Sequence, residues 1–204
     1  MMAIIDYGLG NIRAFCNIYS RLNIRFRIAS KVADLDAVDK IVLPGVGAFD
    51  WAMRRLDQSG MRNRLDELVM KEKRPILGVC VGMQIMANRS EEGVLEGLRW
   101  IDGEVRRFDE ASFIEKTHLP HMGWNDVEVL QSNDLFQGLD AGARFYFLHS
   151  YYLAPRHKSN VLAMTDYNGP YASSVRSENV FGVQFHPEKS HGWGIQLLKN
   201  FAEL

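Results

Sequence analysis

Short apolar runs alternate with stretches of helical periodicity along the first half of the chain. Ala3, Ile4 and Ile5 form one such run, closed by Gly8-Leu9-Gly10-Asn11, and Ile12, Phe15, Tyr19 and Leu22 then recur at helical spacing. The pattern predicts a strand, a tight turn and a helix. A second strand is predicted over 24–29 and a third over 40–44, where Ile41, Val42 and Leu43 are continuous enough to be buried on both faces. The glycine-rich turn Gly45-Val46-Gly47-Ala48-Phe49 is followed by a helical stretch carrying Met61, Leu65 and Leu68, and residues 75–79 predict the next strand. Strands alternating with helices in this way imply right-handed crossovers, a parallel sheet, and functional groups at the carboxyl ends of its strands.

The second half has a different texture. Short strands are predicted at 104–106, 127–130, 144–148, 161–165, 173–176 and 180–185, with Asn168-Gly169 as a turn between two of them. They read as an antiparallel or mixed extension of the sheet. Gly194, Leu197, Leu198 and Phe201 predict a closing helix packed on the core. No internal repeat, low-complexity tract or linker divides the chain. The fold class expected is α/β, a central mostly parallel twisted sheet flanked by helices with an antiparallel extension, in a single domain over residues 1–204.

Composition changes this picture mainly by exclusion. Lys plus Arg number 24 against 25 Asp plus Glu, so no excess of positive charge is available to hold a polyphosphate, and no nucleic-acid partner is expected. Two cysteines, Cys16 and Cys80, cannot build a disulfide framework, and no apolar stretch approaches the length of a membrane span. No export signal is read at the start of the chain, so a reducing, cytoplasmic location is expected, away from any membrane. Asn88-Arg89-Ser90 then matches a glycosylation acceptor only by chance.

The candidate chemistry centres on Gly78-Val79-Cys80-Val81-Gly82-Met83-Gln84, a buried strand running into a helix through a cysteine flanked by glycines. A sharp strand-to-helix turn projects its side chain above the sheet edge, and the helix that follows is expected to lower the thiol pKa with its free N–H groups and partial charge. A thiolate nucleophile needs a base, and the base an orienting group. His186 and Glu188, separated by the stiff Pro187 just after an apolar strand, are the best candidates among six histidines. The N–H of Val81 and an N–H within Gly45-Val46-Gly47 are candidate donors to a developing oxyanion. His118 and His121 lack a third ligand at sensible spacing, Gly8 and Gly10 lack the third glycine of a dinucleotide fingerprint because Arg13 stands there, and no phosphate-loop pattern occurs. Neither a metal nor another cofactor is expected.

The block around Cys80 together with His186-Pro187-Glu188 resembles the signature of class I, triad-type glutamine amidotransferases. Asp6-Tyr7-Gly8-Leu9-Gly10-Asn11, Leu43-Pro44-Gly45-Val46-Gly47-Ala48-Phe49, Pro120-His121-Met122-Gly123-Trp124-Asn125, His149-Ser150-Tyr151 and His186-Pro187-Glu188-Lys189-Ser190 look more narrowly like glutaminase subunits of imidazole glycerol phosphate synthases. The resemblance implies Cys80 as nucleophile, His186 as base and then acid, Glu188 as its orienter, and Val46 and Val81 as oxyanion donors. It further implies that Gly47, Gln84, Ser150 and Tyr151 hold glutamine, and that Asn11, Trp124 and Lys189 meet a (βα)8-barrel cyclase in a one-to-one heterodimer. In that assembly glutamine is hydrolysed to glutamate, and ammonia serves a lyase step of histidine biosynthesis. Such subunits are almost inactive alone, because the peptide at Val46 points its N–H away until the partner binds ligand. Two alternatives stay open: a paralogous glutaminase feeding another synthase, such as one amidating surface sugars, and a non-catalytic interaction subunit that kept the fold.

Overall fold

Strands that are apolar on both faces can only be satisfied inside a sheet covered by helices, and the first strands of this chain have that character. The computed structural model describes residues 1–114, 117–130, 133–139 and 142–204. In it β1 (Met2–Ile5) leads through α1 (Ile12–Arg21) to β2 (Phe26–Ala29), and β3 (Lys40–Gly45) leads through α2 (Phe49–Gln58) and α3 (Arg62–Asp66) to β4 (Ile76–Cys80). A one-turn helix, α4 (Val81–Gln84), follows at once. Next come β5 (Arg89–Ser90), β6 (Gly103–Arg107), β7 (His121–Asp126), β8 (Glu128–Val129), β9 (Arg144–His149) and β10 (Tyr151–Pro155). The chain closes with β11 (Val161–Asp166), β12 (Pro170–Ser177), β13 (Val180–Val183) and α5 (His191–Glu203). Among the described residues no helix is long and apolar enough to cross a membrane.

The main sheet has eight strands in the order β2-β1-β3-β4-β13-β12-β11-β8. The first five are mutually parallel, and β12, β11 and β8 extend them antiparallel, as the change of texture along the sequence implies. Not every strand of the second half joins this sheet. β10, β6 and β5 form a separate three-stranded sheet, and β7 pairs with β9 alone. The apolar pattern gives no sign of β7, because its outward residues are Met122 and Trp124 while its inward ones are His121, Gly123 and Asn125. The helical stretch expected around Met61 also divides: α2 begins directly at Phe49, Gly60 breaks the path at φ 72°, and α3 passes into a π-helical turn over Glu67–Lys71.

Glycines set how closely the chain after β4 can sit on the sheet. Gly182 of β13 is in register with Gly78 of β4, and neither has a side chain to fill the space where Met83 packs, so the sheet has a shallow channel there. The α4 turn lies in that channel. A β-carbon on Gly82 would stand 1.9 Å from the Leu43 carbonyl oxygen, and one on Gly45 only 2.4 Å from the Gly82 nitrogen. Both neighbours are backbone and cannot swing aside. Gly82→Ala is therefore expected to lower stability by about 3 kcal/mol or more, at the upper end of overpacking costs, read as a fall in the urea midpoint with an unchanged m-value. A midpoint like that of the unaltered protein would show that the turn has room to lift off the sheet.

Candidate active site

Cys80 ends β4 with φ 55° and ψ −116°, a backbone conformation that costs a non-glycine residue on the order of 1–3 kcal/mol. It is held there because β3 and β13 flank β4 in register and α4 starts at the next residue. The turn leaves the thiol at a cleft of about 340 Å³ that is also lined by Val46, Gly47, Val81, Gln84 and His186. The sequence suggests a longer helix behind the thiol than exists. With four residues, α4 provides one turn of N–H groups and no extended dipole. Val81, its first residue, has an N–H without an intrahelical acceptor, immediately beside the sulfur.

His186 reaches the same cleft from the residues after β13. Its N–H donates to the Tyr146 carbonyl at 2.8 Å, and Ser190 Oγ donates to its carbonyl at 2.6 Å while accepting from the Tyr146 N–H at 3.0 Å. These bonds fix the backbone, and the turn at Pro187–Lys189 carries Glu188 back to the ring. His186 Nδ1 lies 2.9 Å from Glu188 Oε1, with side chains 4% and 2% exposed. Glu188 Oε2 has no partner among the described residues, so the carboxylate acts on the imidazole alone. Burial works against a charged ring, but hydrogen bonds and charge from Cys80 and Glu188 prevail and raise the His186 pKa to about 10.

The other predicted contact residues divide into two groups. Val46, Gly47, Gln84, Ser150 and Tyr151 line the cleft with Cys80 and Val81. Gly47 sits at φ 91° with open space where a side chain would be, so the peptide before it is free of side-chain hindrance. Lys189 is exposed at the cleft, its ammonium 5.5 Å from the centre of the Tyr146 ring. Trp124 and Asn11 lie outside the cleft. Trp124 is on the outer face of β7, 37% exposed and stacked on His191 at 5.1 Å; Asn11 is exposed at the start of α1. Across the β7–β9 pair, Met122 is opposite Leu148 and Trp124 opposite Tyr146, so an exposed apolar strip leads to Leu148 at the cleft mouth.

Two side chains of the site were not foreseen. Gln184 Oε1 accepts from Gln84 Nε2 at 3.1 Å, and Gln184 Nε2 points at Cys80 Sγ from 3.8 Å. Its signal was present as the one amide in an apolar strand, two residues before His186 and on the same face. Glu92 also lines the cleft, and its Oε2 accepts from the Phe49 N–H at 2.8 Å, while Asp50 in turn accepts from the Val94 and Leu95 N–H groups. These reciprocal caps tie the loop after β5 to the start of α2 and so to the glycine turn at Val46. Nothing in its sequence neighbourhood, Glu91-Glu92-Gly93, distinguishes Glu92 from a solvated charge.

A family profile described as "Glutamine amidotransferase class-I" matches residues 3–204. Among curated relatives, "Imidazole glycerol phosphate synthase subunit HisH" of Bdellovibrio bacteriovorus is 53% identical over 204 residues, covering 100% of both chains. The protein of the same name from Leptospira interrogans is 47% identical, again over 100% of each chain. Among solved structures, a glutamine amidotransferase superposes with a TM-score of 0.74 at 18% identity, over 100% of this chain and 99% of that one. A putative GMP synthase subunit from Thermoplasma acidophilum superposes with a TM-score of 0.73 at 20% identity, over 99% of this chain and 92% of that one; at such identities the likeness concerns the fold.

The elevated His186 pKa has a consequence for stability. An unfolded histidine titrates near 6.5, so the proton held by His186 contributes stability that is complete below that pH and is lost as pH rises through about 10. Glu188→Gln removes one of the groups holding the proton. The variant is expected to lose stability less steeply than the unaltered protein between those two pH values, measured as urea midpoints at each pH; parallel curves would show that Glu188 does not hold it.

Proposed function

The chain belongs to the class-I glutamine amidotransferases, and from that premise we propose that it is the glutaminase subunit of an imidazole glycerol phosphate synthase, working in histidine biosynthesis. The single observation that carries the mechanism is the convergence of Cys80, the Glu188-bound His186 and two strand-end turns on one cleft. The Cys80 sulfur attacks the side-chain amide carbon of glutamine, and the oxygen that gains charge is met by the N–H groups of Val81 and Val46. His186, protonated in the resting site, gives its proton to the leaving nitrogen, and ammonia departs from a thioester. The imidazole then takes a proton from water as it attacks the thioester, and glutamate leaves with the thiolate restored. Glu188 fixes the ring throughout.

Gly47, Gln84, Ser150 and Tyr151 hold the amino-acid end of glutamine. Gln84 Nε2 is committed to the Tyr151 carbonyl at 2.8 Å and to Gln184, so its Oε1 is the atom it offers a substrate N–H. Glu92 supplies a carboxylate at the same wall that suits the α-ammonium. No metal or other cofactor enters this chemistry. The partner is the cyclase subunit, for which we infer a (βα)8-barrel and a one-to-one heterodimer in the cytoplasm. What supports its placement is the exposed strip of Met122, Trp124 and Leu148, with Val46 40% exposed beside it and Lys189 at the same mouth; Asn11, exposed at the start of α1, is assigned to the same interface. A protein seated on that strip covers the cleft, so ammonia passes inward rather than to solvent. The gating step is the Gly45–Val46 peptide, which turns its N–H into the cleft when the liganded partner docks.

Relatives bearing the imidazole glycerol phosphate synthase name favour that acceptor over a sugar-amidating synthase. In a reconstituted complex, Cys80→Ala is expected to abolish glutamine-dependent synthesis and to retain synthesis from added ammonia; loss of both would mean that the thiol serves the assembly rather than the chemistry. Val46→Pro, which has no N–H, is expected to cut partner-stimulated glutamate release roughly 10²–10³-fold while the complex still forms. Stimulation that survives the change would remove Val46 from the oxyanion pair.

A further inference from the structure

Behind the cleft wall lies a second polar assembly. His121 of β7 and His149 of β9 are opposite each other in register, and Tyr171 of β12 stands between them. All three are buried, at 3%, 6% and 3% exposure. The Tyr171 hydroxyl is 3.1 Å from His121 Nδ1 and 3.1 Å from His149 Nε2. At one end of the assembly His149 Nδ1 lies 2.9 Å from the Tyr151 carbonyl, and at the other Asn125 Nδ2 lies 3.2 Å from His121 Nε2.

The two ends fix which atoms donate. A carbonyl only accepts, so His149 Nδ1 carries a proton. The Asn125 amide is oriented by backbone on both sides, its Oδ1 accepting from the Asp126 N–H at 2.8 Å and its Nδ2 donating to the Asp166 carbonyl at 2.8 Å. Nδ2 therefore meets His121 as a donor, and His121 Nε2 accepts. Burial keeps both imidazoles neutral, lowering His121 to about 4 and His149 to about 3, so each ring has one proton to place. One arrangement satisfies both ends: Asn125 donates to His121, His121 Nδ1–H to Tyr171, Tyr171 O–H to His149, and His149 Nδ1–H to the Tyr151 carbonyl. That carbonyl also accepts from Gln84 Nε2, which reaches Gln184 and, through it, the Cys80 sulfur.

Resting on the glutaminase reading, we propose that Tyr171 is a positioning residue for the glutamine cleft, completing a one-way hydrogen-bond chain from Asn125, on the strand that exposes Met122 and Trp124, to the Tyr151 carbonyl and Gln84 amide on the cleft wall. Tyr171 itself does not line the cleft; it acts through His149. Without the hydroxyl, His149 Nε2 and His121 Nδ1–H would be left buried without partners, whereas the aromatic ring would keep its edge contact with Phe108 at 5.1 Å. The wall that binds glutamine would then lose its fixed orientation, while the nucleophile, base and oxyanion turns stayed in place.

The test uses the complex with the cyclase subunit and its nucleotide ligand. Tyr171→Phe is expected to raise the KM for glutamine about three- to tenfold, the effect of one net hydrogen bond, with kcat at saturating glutamine and ammonia-dependent synthesis little changed. Asn125→Ala cuts the chain at its half-buried end and is expected to shift KM in the same direction. In the unaltered chain, nitrogen-15 NMR at roughly pH 6 should show His121 and His149 neutral and both protonated on Nδ1, the less common tautomer. An Nε2–H signal from either ring overturns the chain, and an unchanged KM in both variants overturns the positioning role with the glutaminase reading intact. An unaltered complex that releases no glutamate overturns both.

Discussion

The turn at Cys80 is where the rest of the structure is obliged to cooperate. Its left-handed backbone persists only because the ladder on both sides of β4 and the backbone contact between Gly82 and Leu43 leave the chain no other path. That contact in turn requires glycine at the end of β3, and the same Gly45 begins the peptide assigned to the oxyanion. The proposed nucleophile and oxyanion turn are thus parts of one packed unit. The proposed base is brought to them by β13, which adds to β4 in parallel and ends two residues short of Phe185 and three short of His186.

Electrostatics inside the cleft depends on burial more than on any helix. The one-turn α4 supplies donors at short range, and the polarity of the site comes from His186 and Glu188 facing each other almost without solvent. Cys80 and, after it, Glu188 offset the burial of the His186 ring by hydrogen bonds and charge and push it up, while His121 and His149 nearby are pushed down. The three histidines obey the same rule of desolvation. They differ in whether a charge lies within reach to offset it.

Much of this was legible in the residues. The parallel strands announced themselves as continuous apolar runs, and the change to short strands after residue 100 announced the antiparallel extension. That Cys80, His186 and Glu188 come together was legible from their residue types at strand-end turns, and the glycines around Cys80 because only they fit. What the sequence hid had a physical reason in each case. β7 carries its polar residues inward, to His121 and Asn125, and so lacks the apolar period of a half-buried strand. The break at Gly60 divides what reads as one helix, and Glu92 gains its place from a cap on Phe49 that lies far away along the chain. The two smaller sheets depend on pairings that local pattern does not encode.

The central claim is that this cleft hydrolyses glutamine on command from its partner. Its most direct test is the rate of glutamate release from glutamine by the purified chain alone, with a cyclase subunit from the same organism, and with that subunit and its nucleotide ligand together. The account predicts almost no release from the chain alone and strong stimulation when both partner and ligand are present. A chain that stays silent in all three mixtures, or one that is fully active without the partner, would contradict it.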